Sequence, residues 1–412
     1  MLDNGKAEGV RKIKRFEKYC LKDIATVSQG FTFSRLYQGK KNLKWNYFKV
    51  ADIGLNPNSK YLTNAINTIS DITMEEIGVL PFPKGSIVFP RVGAALFNNN
   101  KKILAQDGVV DDNVLVLTVT DTSKCWHEFL YYYLQGIPLA KWCNSGLVPV
   151  INTKTVLSQM VFLPPLPEQQ KIAAIISTQD KAIELKEKLL VQKQQQKKYL
   201  MQQLLTGKKR LPGFGGEWKT IHLNEISCRI ETKNTVGNNN VLTISAQYGL
   251  INQAEFFDKV IASDDKSNYY LLSKDEFAYN RSYSKGYPYG TIKRLKRYVQ
   301  GVVSPLYICF AVNKKLASLD FLEQYFEASI INREIQSIVQ EGARNHGMLN
   351  VAVDDFFRIK ITMPEIKEQK EIAKILSTAD HEIDLLQKSI EAEKQKKKAL
   401  MQLLITGKVR RK

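Results

Sequence analysis

The sequence predicts an α+β protein made of two similar globular units, each followed by a long helix. Three observations carry that expectation. The stretch from Leu166 to Lys208 recurs from Ile366 to Lys408, 200 residues on and without a gap, with about half of the aligned positions identical. Glu168, Gln169, Ile172, Ala173, Ser177, Thr178, Asp180, Ile183, Leu200, Met201, Leu204, Thr206 and Gly207 all meet the same residue in the second copy. Both copies carry an apolar seam at alternating steps of four and three. The segments before them are short β-branched and aromatic runs broken by Gly, Asn and Pro, which read as strands. A repeat separated by a domain-sized insert marks an internal duplication.

The helices come first because their signals are strongest. Pro164, Pro165 and Pro167 open the first copy and Pro364 the second, where a first turn tolerates proline, and Gly207 or Gly407 stops the helix. About forty residues at about 1.5 Å each make a rod of about 60 Å. The seam of the first rod is Ile172, Ile176, Ile183, Leu190, Leu200 and Leu204, with Gln179 and Lys186 as polar breaks. The seam of the second is Ile372, Leu376, Ala379, Ile383, Leu386, Ile390, Leu400 and Leu404. That spacing suits a two-stranded coiled coil in which the rods pair with each other; the alternative is that each packs separately on its own globe. Lys193, Lys197, Glu393 and Lys397 continue the same steps, and such polar seam positions would help to set register. The seam alone does not give the relative direction of the rods.

The globes follow. Tyr47–Ile53, Gly85–Val92 and Asp111–Val119 read as strands and His127–Gly136 as a helix. After a basic, glycine-rich connector the plan returns: Lys274–Arg281 corresponds to Lys84–Arg91, and Ser304–Val312 to the strand ending at Val119. Asp320–Glu327 then corresponds to Glu128–Gln135. The expected divisions are a flexible leader (1–15), a first globe (16–163), a first helix (164–208) and a linker (209–216), then a second globe (217–363), a second helix (364–408) and a basic tail (409–412). The rods kept their sequence while the matched globes diverged between their common strands, as a shared scaffold with two different readers would.

Composition narrows the partner. A formal net charge of +19 over 412 residues, with a pI near 9.5, points to a polyanion, most often nucleic acid. No apolar run approaches the roughly 18 residues that span a bilayer, and the first residues lack the apolar core of a signal peptide, so no membrane partner and a cytoplasmic site of action are expected. Cys20, Cys125, Cys143, Cys228 and Cys309 are scattered and form no CxxC pair, as expected of reduced thiols.

The order of globe, PPLPEQQKIA rod ending in LLTGKKR, second globe and EQKEIA rod ending in LLITGK resembles the specificity subunit of type I restriction–modification systems. The resemblance spans nearly the whole chain; the second copy departs only in having MPEIKEQ where the first has PPLPEQQ. It implies two target recognition domains separated by two long helices in an antiparallel coiled coil. Each domain would bind one half of a bipartite, asymmetric double-stranded DNA site, with the helices setting the spacer. It further implies docking of two adenine-N6 methyltransferase subunits and a translocating restriction subunit. Half-sites one helical turn apart, about 34–36 Å, lie within reach of domains seated inboard of such rods.

Candidate DNA contacts come from the divergent loops. The first globe offers Arg35, Tyr37, Lys40, Lys41 and Lys44, then Arg91, Asn98, Asn99, Asn100, Lys101 and Lys102. The second offers Arg281, Tyr283, Lys285, Tyr287, Tyr289, Lys293, Arg294, Lys296 and Arg297. Arg and Asn can contact guanine and adenine edges in pairs of hydrogen bonds, while Lys mostly positions on phosphate. The basic rod ends, among them Lys197, Arg210, Lys397 and Arg410, suit solvent, phosphate or a partner equally.

Catalytic chemistry is not expected. There is no NPPY- or DPPY-type methyltransferase motif and no GxxxxGK phosphate loop. The pairs Asp111–Asp112 and Asp264–Asp265 lack an ExK partner, and His127, His222, His346 and His381 lack metal-ligand spacing, so neither cofactor nor metal is expected. A self-contained restriction enzyme and a pure coiled-coil assembly protein are the rival readings, and neither explains two diverged globes on a preserved repeat.

Overall fold

The computed structural model describes residues 16–407 except 33, 56–58, 145, 147, 246–247, 257–264, 284–285 and 341–347. The expected leader and basic tail, Lys285, Lys408 and Arg410 therefore lie outside the described residues. The chain forms two compact units: residues 1–188 with 388–412, and residues 189–387. Each unit thus holds one globe, part of one rod and the facing part of the other.

In the first unit, the strand Glu17–Cys20 pairs antiparallel with Met160–Leu163, the strand that leads into the first rod. A five-stranded sheet runs in the order Ala25–Gln29, Val114–Val119, Ile87–Pro90, Lys102–Leu104, Tyr61–Leu62. A three-stranded sheet holds Asn67–Ile69, Trp45–Phe48 and Val109–Val110. The second unit repeats the entry pair, Lys219–His222 against Lys360–Met363. Its main sheet has four strands, Ser227–Ile230, Ile308–Val312, Phe277–Asn280 and Thr291–Arg294. One strand expectation fails. Tyr47–Ile53 is a strand only to Phe48, and Val50–Leu55 is a helix. The Asp52 carboxylate is the cause, since it accepts from Lys49 N at 2.7 Å and from Ile66 N at 2.9 Å and so closes the first turn.

The rods are helices over Leu166–Leu204 and Ile366–Ile405. Gly207 and Gly407 follow them with φ of 68° and 70°, a left-handed backbone that favours glycine. The seam residues face inward: Ile176 and Leu376 are fully buried, and Ile172, Ile183, Leu204, Ile372, Ile390 and Leu404 nearly so. Leu190, Leu200, Ile383 and Leu400 are half-buried. The rods pair antiparallel in both units. Lys397 meets Asp180 at 2.5 Å in the first unit, and Lys197 meets Asp380 at 2.5 Å in the second, a symmetric exchange. The polar seam positions bond across the pair. Lys186 reaches Glu393 at 2.9 Å and Ser389 at 2.8 Å, and Gln179 also donates to Glu393. In the second unit, Lys193 turns to Glu382 at 2.7 Å.

The repeated motifs join each globe to its rod. Gln169, fully buried, accepts from Trp126 N at the start of helix His127–Gln135 (2.8 Å) and donates to the carbonyls of Lys124 (2.7 Å) and Pro164 (2.8 Å). Gln369 does the same for helix Leu319–Glu327, accepting from Ser318 N (2.8 Å) and donating to Pro364 O (2.8 Å). Helix residues then reach the rod aspartates: Tyr132 donates to Asp180 and Gln324 to Asp380, both at 2.7 Å. The fully buried Glu368 is held by two hydrogen bonds from Arg210, at 2.8 and 2.7 Å, so this basic rod end is a structural ion pair. In the first unit, Ile172, Ala173, Ile176 and Leu404 from the rods enter one apolar cluster with Phe129, Leu130 and Tyr132 of the globe.

Candidate nucleic-acid interface

Two loop groups of the first unit carry the residues singled out in the sequence. A single 3-10 turn, Arg35–Tyr37, is capped by the Ser34 hydroxyl and leaves Arg35, Lys40 and Lys41 exposed, with Leu36 81% exposed between them. Tyr37 is held from behind, donating to Glu76 at 3.3 Å, and the Lys40 ammonium lies 5.7 Å over its ring. Lys44 is bound to Asp71 at 2.8 Å; that ion pair and the Trp45 indole hold the Asp71 carboxyl below its usual range.

The second group follows the strand Ile87–Pro90. Arg91 is half-buried and its guanidinium makes no hydrogen bond or ion pair among the described residues, while Asn98 is exposed and Asn100 half-buried. Asn99 instead turns inward with φ of 54°, its side-chain oxygen accepting from Leu139 N at 2.9 Å and from the Lys101 ammonium at 2.6 Å. Lys101 is 2% exposed and also donates to Ile137 O at 2.9 Å. With no carboxylate partner among the described residues, burial pulls its ammonium down to about 7. Lys102 is likewise buried, bonded to Ser59 O, and pulled down to about 8. These two lysines are interior groups, unlike Lys40 and Lys41.

The basic stretch of the second unit is largely tied to its own protein. Helix Leu319–Glu327 presents Asp320, Glu323 and Glu327 to the strand Thr291–Arg294. Arg294, whose side chain is 8% exposed, meets Asp320 at 2.8 Å and Glu323 at 3.3 Å. Lys293 meets Glu327 at 2.5 Å and Tyr287 donates to the same carboxylate at 2.7 Å. Lys296 meets Glu323 at 3.2 Å. Arg281 donates to two backbone carbonyls, those of Leu306 (2.9 Å) and Val351 (3.0 Å). Tyr283 and Arg297 remain outward, at 63% residue and 64% side-chain exposure. Sequence reasoning passed over Phe97 and Tyr248, which are 68% and 61% exposed. Nothing in their local pattern distinguishes an exposed aromatic from a core one.

A family model described as the type I restriction modification DNA specificity domain matches residues 13–195 and again 216–394. The chain belongs to that family. The type I restriction enzyme MjaVIII specificity subunit of Methanocaldococcus jannaschii is 26% identical over 353 residues, covering 76% of this chain and 77% of its own. The putative MjaX specificity subunit of the same organism is 23% identical over 427 residues, covering 95% and 92%. Among solved structures, the type I restriction–modification S subunit from M. genitalium aligns over 97% of this chain and 98% of its own at TM-score 0.57 and 13% identity. A chain from a structure of the assembly and conformational transition of the type I R-M system aligns over 96% and 99% at TM-score 0.51 and 13% identity. These likenesses carry the fold, two repeated domains with long helices. As a specificity subunit the chain is non-catalytic, and it acts with DNA and the other subunits of its complex. Among the described residues, no helix is long and apolar enough to cross a membrane.

Proposed function

We propose that each globe of this specificity subunit reads one half of a bipartite, asymmetric DNA site through its divergent strand-end loops. The observation that carries the reading is the division of the duplication: rods repeated without a gap and about half identical, recognition loops not. Among the described residues, the side chains without a hydrogen bond or ion pair are Arg35, Lys40, Lys41, Arg91, Asn98 and Asn100 in the first domain and Tyr283 in the second, where the exposed Arg297 lies 3.9 Å from Glu255. Arg and Asn supply base contacts and the exposed lysines supply phosphate contacts, in keeping with the net charge of +19. The rods set the unread spacer and dock two adenine-N6 methyltransferase subunits, which a translocating restriction subunit joins in the cytoplasm. The proposed functional divisions are those read from the sequence, which differ from the compact units, since these cut across both rods.

The test is adenine methylation mapping of plasmid DNA in cells expressing this chain with its methyltransferase subunit, against the methyltransferase alone. A split, asymmetric motif methylated only with both is expected. A stable complex that methylates no such motif refutes the DNA-reading role.

A further inference from the structure

The two domains place an arginine at the same point of the fold and use it differently. Arg91 follows the strand Ile87–Pro90, and Arg281 follows its counterpart Phe277–Asn280. Each lies on the antiparallel extension of its strand pair: Pro90 faces Val114 in the first domain, and Tyr279 faces Ile308 in the second. Each carbonyl accepts a backbone hydrogen bond from the segment returning toward the rod, Arg91 O from Ile151 N and Arg281 O from Leu349 N, both at 2.9 Å. The next residue in each case forms an isolated bridge to that segment, Val92 to Val150 and Ser282 to Met348. The backbones are therefore equivalent.

The guanidinium groups are not. Arg281 donates through Nε and Nη2 to Leu306 O and through Nη1 to Val351 O, which pins the neighbouring strand turn and the returning segment to each other. In the first domain, among the described residues, the returning segment is held without the arginine side chain. Asn144 donates from its backbone to Val150 O and accepts from Val150 N at 3.1 Å, and Cys143 bridges Ile151. Arg91 is left with five donors and no partner among the described residues, and in the loop that follows it the side chains of Asn98 and Asn100 likewise make no hydrogen bond among the described residues. A guanidinium in this setting matches the paired acceptors O6 and N7 of guanine.

We infer that Arg91 is a specificity-determining residue of the first recognition domain, whereas Arg281 is a positioning residue that shapes the reading loops of the second. The inference rests on the DNA-reading function proposed above. Arg91→Ala, Arg91→Lys and Arg281→Lys, in the full chain with its methyltransferase subunit, are compared with wild type by mapping methylation on a plasmid library of variant sites, alongside thermal melts.

Wild type must first give a split motif, and its absence overturns the DNA-reading function itself. Given that motif, Arg91→Ala relaxes preference at one base of a single half-site by about 10- to 100-fold and leaves the other half unchanged. Arg91→Lys does not restore it, because an ammonium lacks the planar pair of donors. Arg281→Lys lowers methylation by a common factor at all sites with both half-site preferences intact, and an Arg281→Lys chain that fails to fold also marks a scaffold role. Unchanged base preferences in Arg91→Ala, or a base position relaxed by Arg281→Lys, overturn the inference.

Discussion

Replacing Gln169 by leucine removes a buried amide from the joint between the first globe and its rod while nearly conserving volume. Three hydrogen bonds disappear, to Trp126 N, Lys124 O and Pro164 O. At about 1 kcal/mol net for each, the loss is about 3 kcal/mol. The copy-related Gln369→Leu loses only two, to Ser318 N and Pro364 O, and costs about 2 kcal/mol. For units of this size those figures correspond to melting shifts of about 6–12 °C and about 4–8 °C. Trp45, Trp126 and Trp142 lie in the first unit and Trp218 in the second, so tryptophan fluorescence weights the first unit and circular dichroism reports both. Gln169→Glu is worse than leucine near neutral pH, because a carboxylate oxygen then faces two carbonyls. A shift below about 2 °C for Gln169→Leu, or a larger shift for Gln369→Leu, would refute the reasoning that these glutamines clamp globe to rod.

Lys186→Glu sets two carboxylates together at the rod seam and lowers the melting temperature, and Lys186→Glu with Glu393→Lys recovers most of the loss; equal melting of single and double variants removes the register role. Lys186, then Gln179, hold the Glu393 carboxyl below its usual range, so this contact's stabilisation is present above the unfolded value near 4.3 and fades as pH falls through the lower folded value. Lys101 behaves oppositely to a paired lysine. Its ammonium is pulled down to about 7, so the unfolded chain binds the extra proton and stability rises with pH from about 7 toward about 10, by at most about 1.4 kcal/mol per pH unit. Urea titrations at several pH values check this, and Lys101→Met flattens the rise. Finally, Lys40→Ala or Lys41→Ala each reduces the slope of log affinity against log salt by about 1, whereas Lys101→Met leaves that slope unchanged.

The rods were legible because helical period, proline entry and glycine exit all agree over forty residues, and the apolar seam residues named from the spacing are buried or half-buried. Their direction was not, since a four–three seam is the same read either way; the Asp180–Lys397 and Asp380–Lys197 pairs supply it. The strand before Arg91 was legible from β-branched residues, while Tyr47–Ile53 misled because Asp52 closes a helical turn by a bond to Lys49 that no periodicity records. The recognition loops were the least legible. Lys40 and Lys101 look alike in sequence, yet one is exposed and the other sits among Asn99 and Ile137. Arg294 likewise offers a charge that Asp320 and Glu323 already neutralise. Whether a basic residue is free depends on carboxylates and carbonyls far away in the chain.

The first unit closes on itself across the chain: residues up to 188 need residues from 388 onward, and Leu404 joins the cluster around Ile172 and Phe129. On a translating ribosome, at about 5–20 residues per second, those two pieces emerge about 10–40 s apart. The second unit is one continuous run, and residues 388–412, which complete the first, leave the ribosome directly after it. The globe that is made first is therefore the last to gain its full set of rod contacts.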